Sequence, residues 1–128
     1  MPDRSQRRLI VNADDFGISR GVNKGIIDAH TRGLVTSTGL MVNLPATMDA
    51  VSLAQGQPKL EVGLHLNLTC GRPLTKAPSL TGSQGSVVTP LTLSYRLLTN
   101  ARARVEAATE VAAQVEAYLE LGLELSHV

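Results

Sequence analysis

The hydrophobic positions of this chain follow two periods in turn, the first of a buried strand and the second of a helix. Residues 9 to 14 predict a continuous apolar strand of the kind that parallel sheets bury on both faces. A helix capped by Ser19 should follow it, and Gly33 stands where a left-handed C-terminal cap belongs. The predicted inner face of this helix carries, at helical spacing, Val22, Ile26, Ala29 and His30.

The same alternation continues through the middle of the chain. A second strand is predicted at residues 34–43, which end in Asn43 shortly before Pro45, and a second helix at residues 46–55. After Pro58, residues 60–69 alternate as a third strand. One face of this strand would carry Val62, Leu64, Leu66 and Leu68, and the other Gly63, His65, Asn67 and Thr69.

The last third of the chain predicts a loop, a helix and the start of a strand. Residues 71–90 are rich in Gly, Pro, Ser and Thr and predict a surface loop with little regular structure. The following helix, at residues 101–121 with Gly122 just past its end, would bury one apolar stripe: Val105, Ala108, Ala112, Val115 and Leu119. Residues 123–128 begin a fourth strand. We therefore predict one α/β domain over residues 1–128, with parallel strands and right-handed crossovers.

Composition and charge exclude several classes of protein. The chain has 128 residues, is 43% hydrophobic and has a net charge of +1, so neither nucleic acid nor an anionic membrane is indicated as the main partner. Basic residues at Arg4, Arg7 and Arg8 predict a solvated tail. No apolar stretch is long enough for a signal peptide or a membrane span, and Cys70 is the only cysteine, so we expect a cytoplasmic protein and a structural Cys70.

The candidate functional residues begin with two adjacent acids at the end of the first predicted strand. Ligands of parallel α/β folds gather at the carboxyl ends of the strands, where Asp14, Asp15 and His65 are predicted to lie. Two carboxylates and an imidazole suit a divalent ion such as Zn²⁺, Mn²⁺, Co²⁺ or Ni²⁺. Neighbouring residues of a strand face opposite ways. Both acids therefore reach one site only if the strand ends at about Asp14, and Phe16 with Gly17 supplies such a break.

Each of these residues also has a plainer structural interpretation. An acid after a strand is commonly the N-cap of the next helix, although an adjacent pair is harder to explain in this way. A histidine on a strand is more often a hydrogen-bonded core residue than a ligand, and we interpret His30 as packing. The amides are consistent with ordinary roles in turns and on an inner face, at Asn12, Asn43 and Asn67.

A receiver domain of two-component signalling also places an acidic pair after its first strand, where it holds Mg²⁺. Its chemistry needs a further Asp at the end of the third strand and a Lys at the end of a later one. Here the last Asp is Asp49 in the second helix, the last Lys is Lys76 in the loop, and the third strand carries His65. The receiver interpretation fails on these residues.

Two stretches resemble the YdjC-like family of carbohydrate deacetylases, which includes chitooligosaccharide deacetylases and proteins associated with hopanoid biosynthesis. RLIVNADDFGISRGVNKGIIDAHTRGLVTSTGLMVN, beginning at Arg8, is similar to the family's amino-terminal signature, and VGLHLNLTCGRPL is similar to its next block. The resemblance implies a (β/α) barrel-like deacetylase fold roughly twice this length, of which this chain would hold about four strands.

The resemblance also implies roles for individual residues. Asp14 would be the general base, and Asp15 and His65 would be metal ligands. The family's third ligand is a histidine a few residues beyond the position of His127, so it is absent from these 128 residues. Side chains that contact the substrate or support the ligands would be Asn12, Asn43, Asn67 and His127. One divalent ion is implied, Mg²⁺ or Zn²⁺ first, with Co²⁺, Mn²⁺ or Ni²⁺ as alternatives.

The implied activity is metal-assisted hydrolysis that removes N-acetyl groups from amino sugars or chitooligosaccharides. The alternative is a catalytically silent, truncated fragment that folds or assembles only with a partner. An open half-barrel exposes a sheet edge and an apolar helix face. A homo-oligomer is one arrangement that would cover them.

Overall fold

The computed structural model describes residues 9–128, so Arg4, Arg7 and Arg8 lie outside the described residues. Seven helices and strands alternate along this part of the chain. In order they are β1 (Asn12–Phe16), α1 (Arg20–Arg32), β2 (Ser37–Leu40), α2 (Thr47–Gln55), β3 (Glu61–Leu64), α3 (Pro90–Thr99) and α4 (Ala101–Glu120).

The three strands form one parallel sheet in the order β1-β2-β3, which confirms the predicted α/β class. Apolar side chains at the register positions of one face are buried against the helices, so this face forms the main core: Phe16, Leu40, Val62 and Leu64. The opposite face carries Asn12 opposite Ser37 and Ser37 opposite Glu61. The sheet is therefore apolar towards the helices and polar on its other side.

The predicted first strand was wrong in its limits and in its burial. Leu9 and Ile10 are about three-quarters exposed, because β1 starts only at Asn12, where pairing with β2 begins. The strand then runs through both acids to Phe16 instead of ending at Asp14. The other two strands are also shorter than predicted, with β2 limited to Ser37–Leu40 and β3 to Glu61–Leu64. The predicted alternation beyond Leu64 therefore does not belong to a strand.

Helix α1 begins as predicted, because the Ser19 hydroxyl accepts a hydrogen bond from the backbone N–H of Val22. Its predicted left-handed cap is wrong, since Gly33 has φ −129°. Asn23 and Ile26 are the residues that this helix buries, whereas Val22 is partly exposed. His30 is half-buried, and its Nδ1 lies 2.8 Å from the carbonyl oxygen of Val35, which it can bond as a donor.

The predicted loop at residues 71–90 contains one isolated bridge and otherwise little regular structure, but it is not loose. Leu80 is fully buried and packs in a second apolar cluster with residues of α3 and α4. Helix α3 had not been predicted. Its N-terminus carries two signals, the hydroxyl of Thr89, which accepts from the Thr92 N–H, and Pro90 in the first turn.

Helix α4 has the predicted extent but buries a different face. Val105 and Leu119 of the predicted stripe are 66% and 60% exposed. The face that packs inward is displaced by one or two positions and carries Ala103, Ala107, Glu110, Gln114 and Tyr118. The prediction failed because buried carboxyl and amide groups were assumed to face water.

The predicted fourth strand is not formed as a strand, but its residues align with β3. Ser126 donates a backbone hydrogen bond to the Val62 carbonyl (3.0 Å), and Leu64 donates one to the His127 carbonyl (2.9 Å). Residues 126–127 therefore extend the sheet beside β3. Within residues 9–128, every helix is too short or too polar to cross a membrane.

Candidate active site at the ends of the parallel strands

The two acids share one edge of the sheet because β1 contains an irregularity at their position. The pairing register between β1 and β2 shifts between Ala13 and Phe16. Asp15 has φ +67°, a left-handed conformation that Asp tolerates better than most residues. This local turn, rather than the predicted end of the strand, breaks the regular alternation of the two carboxylates.

The turn after the acids is held by a buried amide. The side chain of Asn23 is fully buried, accepts the backbone N–H of Gly17 (2.7 Å) and donates to the carbonyl of Ala46 (3.0 Å). Gly17 has φ +99°, and a Cβ there would lie 2.8 Å from the Met41 carbonyl oxygen. Glycine is therefore required at this turn. We expect the α1 amide to fix the direction in which the chain leaves Asp15.

Asp15 and His65 come together, although they are fifty positions apart. The Oδ1 of Asp15 lies 3.9 Å from Nδ1 of His65, and both side chains are partly exposed. The backbone N–H of Asp15 also points to the same Nδ1, at 3.5 Å. An oxygen and a nitrogen donor thus face one small volume.

Two glycines in register make room for two imidazoles. Gly39 of β2 is paired with Gly63 of β3. A Cβ on Gly39 would lie 3.1 Å from Cβ of His65, and a Cβ on Gly63 would lie 2.6 Å from three ring atoms of His127. Each histidine therefore lies over a glycine of the preceding strand.

Both histidines border an open cleft of about 320 Å³, which is lined by Asn12, Asp14, Gly39, Leu64, His65, Leu66, His127 and Val128. Asp15 approaches His65 from outside this set of lining residues. The Asn12 amide donates to Oδ1 of Asp14 (2.8 Å) and so holds this carboxylate at the cleft. The hydroxyl of Ser126 lies 2.6 Å from Nδ1 of His127. The other ring nitrogen of His127 is buried, and no residue of the described range 9–128 bonds to it.

Asn43 and Asn67 support loops rather than the cleft. Asn67 is buried, and protein groups occupy all four hydrogen-bonding positions of its amide. One of these groups is the side-chain oxygen Oδ1 of Asn43. The side-chain NH₂ of Asn43 in turn donates to the backbone carbonyl of Arg72 (3.0 Å). Together these amides tie the segment after β2 to the segment after β3. Cys70 is half-buried at this junction, and its carbonyl accepts from Asn67.

Helix α4 holds the same junction through a buried carboxamide and a buried carboxylate. Gln114 accepts from the backbone N–H of Asn67 (2.9 Å) and donates to its carbonyl (2.7 Å). It also donates to Glu110, which further accepts from the N–H groups of Leu74 and Thr75 and from the Thr75 hydroxyl. Burial raises the pKa of Glu110, but the bonds from Gln114, Leu74 and Thr75 outweigh it and hold that pKa below its usual value.

Sequence reasoning missed Asn23, Ser37, Glu110 and Gln114. For Asn23 there was a signal, since it stands three residues before Ile26 and so shares the inner face of α1. Glu110 and Gln114 are four positions apart on α4, a spacing that places them on one face. Nothing in the sequence indicated that this face is buried.

The donor atoms suit a hard or borderline divalent ion only in part. Asp15 and His65, whose donor atoms are 3.9 Å apart, would be the residues that hold such an ion. The N–H of Asp15 would then have to release Nδ1. Within residues 9–128, His, Cys, Asp and Glu side chains do not come together in any group of three that could hold a metal.

Known proteins match this chain over most of its length. The family model for YdjC-like protein matches residues 8–128. The carbohydrate deacetylase of Halalkalibacterium halodurans is 55% identical over 92 residues, which are 71% of this chain and 38% of that protein. Carbohydrate deacetylase 2 of Listeria innocua is 53% identical over 83 residues, which are 65% of this chain and 34% of that protein.

A solved structure from Enterococcus faecalis V583, provisionally named a cellobiose-phosphate cleavage protein, has the same fold with a TM-score of 0.83. It is 33% identical and aligns with 92% of this chain and 46% of its own. The match covers about a third of each curated relative named above. Since the family model spans nearly the whole sequence, the chain belongs to the YdjC-like protein family.

Proposed function

We propose that this chain carries the proton-accepting and metal-binding part of a carbohydrate deacetylase, which removes N-acetyl groups from amino sugars or chitooligosaccharides. The observation that supports this proposal is the approach of Asp15 to His65 at 3.9 Å, next to an open cleft that His65 and Asp14 line. Curated relatives named carbohydrate deacetylase support the class of reaction. An open cleft at the ends of parallel strands is also where such folds bind ligands.

Each residue has a distinct part in the proposal. Asp14 accepts the proton of the attacking water, held in place by the Asn12 amide. Asp15 and His65 hold a divalent ion, Mg²⁺ or Zn²⁺ first, with Co²⁺, Mn²⁺ or Ni²⁺ as alternatives. When bound, such an ion lowers the pKa of water and polarises a carbonyl oxygen. His127, which also lines the cleft, contacts the acetylated sugar or supports the ligands in this proposal.

A specific observation favours a second proposal, that the 128-residue chain is silent by itself. Catalytic zinc usually has three protein ligands, and the described residues 9–128 offer two at this cleft. A further donor would come from additional chain in a larger, barrel-like sheet, or from an associated copy that covers the sheet edge.

Calorimetric titration with Zn²⁺ or Co²⁺ tests the two-ligand site. We expect weak binding by the 128-residue chain, and none by Asp15→Asn or His65→Ala, because each change removes one of two donors. Asp28→Asn is the matched control, since Asp28 lies on α1 and pairs with Arg32. Tight stoichiometric binding by the unaltered chain would contradict the proposal, and His127→Ala would then show whether His127 is the extra ligand.

Acetate release tests the reaction. The 128-residue chain is assayed beside a fusion in which it replaces the matching part of the H. halodurans relative. We expect release only from the fusion, with Asp14→Asn losing about 10²-fold to 10⁴-fold in turnover while metal content stays constant. Asp15→Asn should lower the metal content, and Asp28→Asn should change neither turnover nor metal content. Robust release by the short chain would refute its silence, and full activity of Asp14→Asn would remove Asp14 as the base.

A further inference from the structure

Behind Asp14 lies a line of hydrogen bonds that begins on the neighbouring strand. The hydroxyl of Ser37 donates to Oδ1 of Asn12 (2.7 Å), and Nδ2 of Asn12 donates to Oδ1 of Asp14 (2.8 Å). Asn12 and Ser37 are direct register partners across β1 and β2. The three side chains therefore lie on the sheet face away from the helices.

The chemistry of the three groups fixes the direction of this line. An ionised carboxylate only accepts hydrogen bonds, so Asn12 must turn its NH₂ towards Asp14. Its carbonyl oxygen then faces Ser37, whose hydroxyl is the donor that this orientation requires. If the Ser37 hydroxyl were absent, Asn12 would lose the bond that holds its carbonyl end, and its amide would be freer to rotate away from Asp14.

Ser37 is connected to the cleft by its hydrogen bond to Asn12. It is 3% exposed and lines a neighbouring hollow with Asn12 and His127, whereas Asn12 and Asp14 both line the cleft itself. We propose that Ser37 is a positioning residue: through Asn12 it holds one oxygen of Asp14 and leaves the other turned to the cleft for the proton of water. This inference rests on the proposed deacetylase function, in which Asp14 is the base.

The 128-residue chain itself allows a direct test of the geometry. In ¹⁵N and ¹³C NMR spectra, Ser37→Ala should shift the side-chain amide signals of Asn12 and the carboxyl carbon signal of Asp14. The matched control is Thr109→Val, which removes a hydroxyl bond to the Val105 carbonyl (3.0 Å) within α4. It should leave both signals in place. Unchanged Asn12 and Asp14 signals in Ser37→Ala would overturn the proposal.

Kinetics in the fusion with the H. halodurans relative test the consequence for turnover. Ser37→Ala should lower kcat about tenfold, with KM changed less than about twofold, because it misplaces the base rather than the sugar. Added to Asn12→Ala, it should cause no further loss, since its effect passes through Asn12. A full additional loss in that background, or an unchanged kcat for Ser37→Ala alone, would refute the positioning role.

The two proposals can fail separately. If the fusion releases no acetate from any N-acetylated sugar, the proposed function fails, while the NMR signals still decide whether Ser37 sets the amide of Asn12. If the fusion is active and Ser37→Ala matches Thr109→Val in kcat, the function stands and the inference about Ser37 is wrong.

Discussion

The imidazole of His127 lies over Gly63, where a methyl group would stand 2.6 Å from three of its ring atoms. At this distance the ring of His127 must move away from Gly63. Gly39 is less restrictive, because a Cβ there would lie 3.1 Å from His65. The positions of both histidines at the cleft therefore depend on the absence of two side chains.

Gly63→Ala should lower the free energy of unfolding by about 1–3 kcal/mol, since the new methyl overpacks this position. Gly25→Ala is the matched control, because Gly25 lies within α1 and a Cβ there would have no neighbour within 4 Å. That change should stabilise the chain by about 0.5–1 kcal/mol. Urea unfolding measures both. Equal stability of Gly63→Ala and the unaltered chain would show that His127 does not need this space.

The sequence predicted that Asp15 and His65 lie close together, as the structure shows, but not how the chain brings them there. Asp14, Asp15 and His65 could be placed together because parallel strands bring their carboxyl ends to one edge. The left-handed backbone of Asp15 could not be predicted, since it is set by pairing with β2 and by the buried amide of Asn23. Tertiary contacts, rather than the local conformational preference of the sequence, set the backbone conformation of Asp15.

On the scale of helices and loops, α4 holds the segment after β3 through Glu110. Glu110→Gln should reduce the free energy of unfolding by about 2–3 kcal/mol, because an amide NH₂ cannot accept all four hydrogen bonds that the carboxylate accepts. Glu116→Gln, on an exposed position of the same helix, is the control and should change little.

The same carboxylate gives a dependence on pH with a defined sign. The folded-state pKa of Glu110 lies below its usual 4.5, so its contribution to stability is present above that value. It is lost as the pH falls through the lower folded-state pKa. The free energy of unfolding, measured between about pH 6 and pH 3, should therefore decrease less steeply with falling pH in Glu110→Gln than in the unaltered chain. Parallel curves would show that Glu110 does not contribute by this route.

Helix α4 also shows where patterns of apolar residues mislead. Its exposed stripe contains Val105 and Leu119, while its buried face contains Glu110 and Gln114. Periodicity indicates the burial of apolar side chains only when polar ones can remain in water. Here loop backbone groups satisfy the polar side chains. That compensation depends on segments some 35 to 47 residues away along the chain.

For the molecule as a whole, Tyr118 joins three parts. Its side chain is fully buried, and the single proton of its hydroxyl is shared between the carbonyls of Val62 in β3 (2.9 Å) and Glu124 in the terminal segment (3.2 Å). Burial raises its pKa from 10.0 to about 12. Its contribution to stability is complete below pH 10 and is lost as the pH rises towards 12, because only the unfolded chain ionises there.

Tyr118→Phe should therefore lower the free energy of unfolding by about 1 kcal/mol at neutral pH and remove part of its decline above pH 10. Tyr95→Phe is the control, since Tyr95 is 67% exposed on α3. Urea unfolding at pH 7 and pH 11 measures both changes. A decline above pH 10 that is identical in Tyr118→Phe and the unaltered chain would contradict the assignment.

The α/β class and the parallel strands of the molecule could be predicted from the alternation of periods, which depends on local sequence. The number of paired strands could not. Residues 123–128 have a strand-like sequence but make only two backbone bonds to β3, from Ser126 and to His127. How far such a segment pairs depends on what lies beside it, and a local pattern contains no such information.

The bonds between Gln114 and Asn67 also determine when the loop after β3 can be fixed during synthesis. The three strands leave the ribosome first, but the loop after β3 has to wait for residues 47 positions further along the chain. At about 5–20 residues per second, this delay lasts roughly 2 to 10 seconds. During that interval the nascent chain can hold its sheet and both acids, while the loop beyond His65 lacks the partner that fixes it.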